Sequence, residues 1–438
     1  MRAEDHNRNA SFPSSFGGAG VTSFAPRVRI VGGGLTGILA AFQAHRMGAR
    51  NIELFEQLDR LGGVAQPYVE GGREMREGCI FFGPASDPIR QLLEAHGAEF
   101  YEFDNRFASV SHTLDDPSVV EDFGGPALAG SATALAPLDG RSLGDRLACY
   151  DEELREPLAR YVTWHTGAEP EHLHADAAHP LAINRVYPAN APLEVLEAAK
   201  RSDPLADDLF GIPRSLWGYT SNTKASLPVG GFPALFERCR EALKDIGVTL
   251  HDRQFANPKT LLADEAPGDT LVWAGSPIPL FKAVGLPVPK APARKFATYT
   301  FEVRWSGPVP FYVQNFTAQG ACFRVYVYES GGSTLLTAEC VATCEQSALT
   351  GDIHRMLDAF EGDLTLGALL HTTVKPRWLY HSVETIDSLA SLRQALKARM
   401  GDRFVAGAWE AYAKGAKFVE VEADLAKALE ITLALEAL

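Results

Sequence analysis

The feature that most constrains this chain is the spacing between its first glycine cluster and a later acid. An apolar run, Arg27 to Val31, leads into Gly32-x-Gly34-x-x-Gly37, and an amphipathic segment from Leu35 to Met47 closes at Gly48. A second apolar run, Asn51 to Phe55, stops at Glu56, nineteen positions after Gly37. The order predicts strand, turn, helix, strand and acid, which is the unit that grips an adenine dinucleotide. Gly32 permits the tight turn, Gly34 lets the backbone approach a pyrophosphate, and Gly37 lets the helix pack closely on its strand. Gly33, Leu35 and Thr36 complete the phosphate-facing turn, where unpaired N–H groups and the helix dipole favour an anion without a basic side chain. Glu56 accepts both ribose hydroxyls of the adenosine. Its carboxylate repels a 2′-phosphate and the next residue is Gln57 and not Arg, so NADP is disfavoured, leaving NAD and FAD.

With 438 residues and 46% hydrophobic content, the chain suits two or three structural units around a sizeable core. The formal net charge is -14 and no basic run tracks a phosphate backbone, so nucleic acid is not an expected partner. No apolar stretch approaches the roughly 18 residues of a membrane helix, and residues 1–26 lack a secretory pattern. The expectation is a cytoplasmic protein with a mobile, Ser/Gly/Asn-rich tail over 1–26. Cys79, Cys149, Cys239, Cys322, Cys340 and Cys344 are scattered as reduced thiols are. Cys340 and Cys344 share a helix face or a strand end, but no second pair or histidine at ligand spacing accompanies them. His165, His172, His174 and His179 fit no single helix face and read as surface or polar-core histidines, so no metal is expected.

Several features favour FAD over NAD. Gln57-x-Asp59-Arg60-x-Gly62-Gly63 supplies a second glycine pair where backbone can meet the rest of a long cofactor. The run Asp269 to Gly275, with a small exit at Ala274, and the run Arg403 to Gly407 read as buried strands that return to the first sheet. A periodic helix follows, from about Lys417 to Leu435. No second glycine fingerprint with strand and acid marks a separate NAD(P)H domain.

From Thr298 the pattern alternates with period two, placing Tyr299, Phe301, Val303 and Trp305 on one face. Runs at Phe311 to Thr317, Cys322 to Glu329 and Ser333 to Val341 complete a four-strand meander. On the third of these strands Phe323, Val325 and Val327 share one face and Arg324, Tyr326 and Tyr328 the other. That second face either floors the pocket of an anionic substrate or is simply wet. Residues 115–214 read as mainly helical, a cap over the cofactor domain. Trp164 is core or lid packing, and Arg185 is either a surface residue or an anion contact.

These residues resemble the FAD-binding group that includes flavin amine oxidases, protoporphyrinogen oxidase and UDP-galactopyranose mutase, over about Val28 to Leu435. Leu227 to Phe236 is similar to the segment where the group places a proline and glycine pair before a helix. Asp245 to Phe255 is similar to the strand that follows, and the likeness puts Phe255 near the adenine half of FAD. Tyr161 to Gly167 with Trp164 resembles the aromatic platform of the mutases, Arg185 and Arg324 their two diphosphate contacts, and Gly407 to Tyr412 their last flavin strand and its tyrosine. The departures are Gly78-Cys79-Ile80-Phe81-Phe82-Gly83, where the mutases carry histidines, and Ala408, where they carry an Arg.

The resemblance implies an α/β fold of the glutathione-reductase-like superfamily. A Rossmann-like FAD-binding domain would be formed by 27–114, 215–290 and 395–438. It would carry a helical cap at 115–214 and an antiparallel substrate sheet at 291–394. The expected activity is hydride transfer from a small polar or anionic substrate to FAD, with Arg324, Tyr326 and Tyr328 at its polar end and no catalytic base assigned. The alternative is a nucleotide-sugar mutase that uses reduced FAD.

Overall fold

In the computed structural model the described residues run from 27 to 436, leaving out 79, 106, 113–116, 121–127, 131–139, 189–191, 203–209, 212–223, 265–267, 291–292, 359 and 361. The tail 1–26 and Cys79 therefore lie outside the described residues.

Arg27–Val31, Asn51–Phe55, Thr249–His251, Thr270–Trp273 and Phe404–Ala406 form one sheet, in the order 249–251, 51–55, 27–31, 270–273, 404–406. Every neighbouring pair is parallel. Such strands must be covered on both faces, and their near-continuous apolar runs allow it. On one side Ile30, Leu54 and Val272 pack with Ile38 and Phe42 of helix Leu35–Arg46 and with Val421 and Leu425 of helix Lys414–Glu436. On the other, Phe55, Leu271 and Phe404 pack with Leu261, Phe281 and Leu392 from helices Pro258–Ala263, Ile278–Val284 and Val383–Met400. The two late runs thus join the first sheet, as their composition foretold.

A second sheet of seven strands runs in the order 364–379, 293–305, 333–340, 322–330, 311–315, 107–112, 117–120. It corrects the expected meander in three respects. Ala293–Trp305 lies beside Ser333–Cys340 and Leu364–Leu379, not beside Phe311–Asn315. Its inward residues find apolar partners there, with Tyr299 opposite Ala338 and Phe301 opposite Leu336. Phe107–His112 joins the sheet from the segment assigned to the nucleotide domain, burying Ala108 and Val110, and pairs parallel with Phe311–Asn315, so the sheet is mixed. Finally, Phe323 is the extra residue of a bulge between Cys322 opposite Cys340 and Arg324 opposite Glu339. The bulge turns Phe323 away from Val325 and Val327 into the cap core, and Cys322 takes its place on the apolar face.

That apolar face packs against helix Gln346–Leu357 through Leu349, Ile353 and Met356. The cap is less purely helical than its periodicity suggested. Helices Leu143–Leu147, Glu152–Thr166 and Leu193–Ser202 are accompanied by three short 3-10 turns between the second and third of them, and Leu128–Gly130 pairs parallel with Val186–Pro188. Its core, including Leu158, Val162 and Ile183, is continuous with Phe296, Phe316 and Phe323 of the sheet. Arg294 ties the two together: its guanidinium donates to the carbonyls of Val341, Trp164 and His165, the last two at the end of the cap helix. No helix among the described residues is long and apolar enough to cross a membrane.

Candidate cofactor and substrate site

The glycine turn is held by backbone. Gly32 has φ +104° and its N–H donates to Phe55 O at 2.9 Å. A Cβ at Gly37 would stand 1.9 Å from Gly32 O, so only glycine lets the helix sit this close to its strand. The helix begins at Gly34 with no side-chain cap, which leaves its first N–H groups to an anion. Glu56 is buried and accepts from Gly33 N and Leu58 N, each at 2.8 Å, one bond to each carboxylate oxygen. Each oxygen keeps lone-pair capacity for a ribose hydroxyl. Gln57 beside it is exposed.

The second glycine pair comes against the first. Gly62 N donates to Gly33 O at 2.7 Å, and a Cβ at Gly63 would lie 3.1 Å from Gly34 Cα. Val64 follows and is 96% exposed, an apolar side chain beside the turn. Phe255, 63% exposed, follows Gln254, whose N–H donates to Glu56 O. Ala274 N donates to Val31 O, and a Cβ at Gly407 would meet Ala274 Cα and Trp273 O at 2.7 Å. The structure therefore gathers Gly32, Gly33, Gly34, Leu35, Thr36, Gly37, Glu56, Gln57, Gly62, Gly63, Phe255, Ala274 and Gly407 at the C-terminal edge of the parallel sheet, where dinucleotides bind in open α/β sheets. The open glycine at 34, the uncapped helix and the spare acceptors of Glu56 fit such a ligand.

Beyond this edge lies a wall of aromatic and basic groups. The Tyr412 hydroxyl accepts from His381 N at 2.7 Å, and the His381 ring reaches Trp409 O through Nε2 at 3.0 Å. Lys414 donates to Phe81 O and its ammonium stands over the Phe82 ring. Phe81 packs edge-on to Phe103 and Tyr326.

The second face of the large sheet is covered, and the solvated reading of that face is overturned. Ser109, Gln314, Arg324, Glu339 and Thr298 follow one another as cross-strand partners, and Ser109, Gln314, Glu339 and Thr298 are each at most 3% exposed. Arg324 binds Glu339 at two points, 3.0 and 2.9 Å. Gln314 donates to the Tyr161 hydroxyl of the cap at 2.9 Å, and Tyr161 donates to Leu181 O. Arg185 is buried and not a surface residue, because its Nε donates to Ser109 Oγ at 2.6 Å. Tyr380 is 1% exposed, and its hydroxyl has no hydrogen-bond partner among the described residues. Burial pushes the phenols of Tyr161 and Tyr380 up.

Tyr326 and Tyr328, both fully buried, stack on each other and turn to a different set of groups. Tyr328 Oη accepts from Arg76 N at 2.9 Å and donates to Glu74 O, while Arg76 donates to Tyr326 Oη at 3.3 Å. The expected trio is thus divided: Arg324 belongs to the row that meets the cap, and the two tyrosines to a contact with the Arg73–Met75 strand and the residue after it. Trp164 is only partly buried and closes the cap edge by donating to Gly320 O. The sequence reading did not single out Glu339, Gln314, Tyr380 or Arg76, which the structure brings to this face and its contacts. Among the described residues no group of three or more His, Cys, Asp or Glu is placed to hold a metal ion.

The NAD(P)-binding Rossmann-like domain family matches residues 30–95, the strand, glycine turn, helix and acid described above. The chain is 33% identical over 102 residues to tryptophan 2-monooxygenase of Pantoea agglomerans pv. gypsophilae, a match covering 22% of this chain and 16% of that enzyme. It is 29% identical over 231 residues to coproporphyrinogen III oxidase of Mycobacterium bovis, covering 47% of this chain and 46% of that protein. The chain thus spans less than half the length of either relative in these matches. A crystal structure of reduced UDP-galactopyranose mutase shares the fold with a TM-score of 0.60 at 13% identity, over 94% of this chain and 96% of that one.

Proposed function

We propose that this chain, which has the flavin amine oxidase-like fold with a Rossmann-like dinucleotide domain and a separate sheet domain, is a FAD-dependent oxidoreductase acting on a small polar or anionic substrate. One observation carries the reading: the dinucleotide edge and the buried polar row of the sheet belong to one chain, and the cap packs over that row through Tyr161. Glu56 would hold the adenosine ribose, and the first turn of helix Leu35–Arg46 would hold the pyrophosphate. Gly62 and Gly63, where a Cβ would meet Phe236 and Gly34, would bring backbone close to the rest of the cofactor. Bound FAD would supply the hydride acceptor.

The protein's own contribution is to orient and to exclude water. Tyr161, Gln314, Tyr380 and the Arg324–Glu339 pair fix the polar end of the substrate. Because Glu339 balances Arg324, this pocket suits a substrate with one modest charge or a mixed pair better than a doubly charged diphosphate. Anaerobic mixing with a panel of amines, amino acids and hydroxylated metabolites tests the reading. At least one class should bleach the flavin, and a flavin that none of them reduces would contradict it.

A second reading, a nucleotide-sugar mutase using reduced FAD, draws on one observation. Ser109 and Arg324 flank Gln314 on adjacent strands, so Arg185, bonded to Ser109, and Arg324 lie two strands apart along one row. A diphosphate bridging them predicts that UDP raises the melting temperature and that turnover of a UDP-sugar needs prior dithionite reduction. Absence of any thermal shift with UDP would remove this reading.

A further inference from the structure

Two arginines serve the polar face of the large sheet, and they are neutralised to different degrees. Arg324 directs two donors, Nε and Nη2, to the two oxygens of Glu339. Arg76 meets a carboxylate at one point only, with Nε 3.3 Å from Glu74 Oε2. That same oxygen accepts from Phe232 N at 3.4 Å, at the start of helix Gly231–Asp245. A Cβ at Gly231 would stand 1.6 Å from Glu74 Oε1, so glycine lets the carboxylate lie against the helix start. One carboxylate therefore serves both a guanidinium and the positive end of a helix dipole, and the group as a whole keeps excess positive charge. Arg76 is also held in place. Its guanidinium carbon lies 5.5 Å from the centre of the Phe232 ring and 4.9 Å from that of Tyr328, and Nη1 donates to Tyr326 Oη at 3.3 Å. Nη2 makes no hydrogen bond among the described residues, and Arg76 is 8% exposed.

We propose that Arg76 is the anchor for a carboxylate borne on an apolar body, the anionic end of the substrate, and that Arg324, closed by Glu339, is not. This rests on the reading of this sheet face as the substrate pocket. A carboxylate accepting from Nη2 would form a charge-assisted bond and balance the excess charge around Glu74. The apolar body has neighbours beside that anchor, since Tyr326 packs edge-on to Phe81, and Phe81 to Phe103. Tyr326 stands two positions after Arg324 on strand Cys322–Ser330, roughly 7 Å along it. One small substrate can therefore reach both levels of the strand, with its charged end at Arg76 and a polar group toward Tyr161, Gln314 and Tyr380. The division of Arg324 from the two tyrosines then separates two anchoring points of one ligand.

Calorimetric titration of the full-length protein, as purified, with phenylacetate and with phenylacetamide tests this, because the two differ in charge and little in shape. We expect the carboxylate to bind roughly tenfold tighter or more, as for a hydrogen bond to a charged group. Arg76→Met should remove that preference, and the double replacement Arg324→Met with Glu339→Leu should keep it. If Arg76→Met does not fold, a crystal structure of the wild-type protein with phenylacetate decides, the carboxylate being expected about 3 Å from Arg76 Nη2. Equal affinity for acid and amide, no binding of either, a preference that survives Arg76→Met, or a carboxylate seated on Arg324 would each overturn the proposal. These readouts need no turnover. A flavin that no substrate reduces, in a protein that still prefers the acid through Arg76, would sink the oxidoreductase reading and leave this one.

Discussion

Arg324 and Glu339 face each other across a hairpin and bind at two points, Nε to Oε1 at 3.0 Å and Nη2 to Oε2 at 2.9 Å. The pair sits where the cap meets the sheet, with Glu339 1% exposed, and it sets the charge of the space that the substrate is proposed to enter.

Removing one partner leaves the other charge buried. Arg324→Met and Glu339→Leu should each cost about 3–5 kcal/mol of unfolding free energy, and the double replacement should recover most of that loss. Denaturant titration of the four proteins in this cycle measures the coupling. A double variant as unstable as the sum of the single ones would show that the pair is not coupled.

The hairpin also shows what was legible in the chain and what was not. Gly331 and Gly332, both at left-handed φ, form a two-residue turn that sets Ser330 opposite Ser333. Counting outward from it puts Glu339 opposite Arg324, so the turn carried the missing partner. The first glycine turn, Glu56 and both late strands were legible because parallel strands with glycine exits leave a local pattern. The strand Phe107–His112, the neighbour of Ala293–Trp305 and the bulge at Phe323 were not, because each depends on which distant edge a strand finds. The burial of Arg185 and the two tyrosines likewise depends on the elements packed over the sheet, which no period in the strand reveals.

Tyr380 separates stability from function. Its hydroxyl is buried without a partner among the described residues, so Tyr380→Phe loses no hydrogen bond within the protein and should leave stability unchanged within about 1 kcal/mol, or raise it. If that hydroxyl waits for the substrate, KM should rise by roughly tenfold, as for a hydrogen bond worth about 1 kcal/mol or somewhat more. An unaltered KM would exclude Tyr380 from the substrate contacts.

His165 makes the fold sensitive to acid. The ring is packed among Phe296, Phe323 and Tyr380, neither nitrogen has a partner among the described residues, and burial with nearby Arg324 and Arg294 draws its pKa down to about 3. The folded pKa lies below the unfolded one, so the unfolded chain binds the proton first. Stability from the neutral ring is present above about pH 6.5 and is lost as pH falls from there toward 3. At pH 5 the loss should be about 2 kcal/mol relative to pH 7. His165→Leu should remove this share of the pH dependence, and denaturant midpoints at the two pH values measure it. An identical pH slope in variant and wild type would refute the assignment.

Glu56 should govern cofactor affinity and not chemistry. Glu56→Ala removes charged acceptors worth about 1.5–3 kcal/mol and also releases Gly33 N and Leu58 N, so the flavin Kd should rise roughly ten- to hundredfold. Fluorescence titration of apoprotein with FAD reads it directly, and an unchanged Kd would place the adenosine elsewhere.

The most direct test of the central claim is the absorbance spectrum of the purified protein, with its cofactor released by heat and identified by mass. The account predicts a yellow protein holding one FAD per chain, or a colourless one that takes up FAD on reconstitution. A colourless protein that binds no FAD, or one that binds NAD in its place, would contradict it.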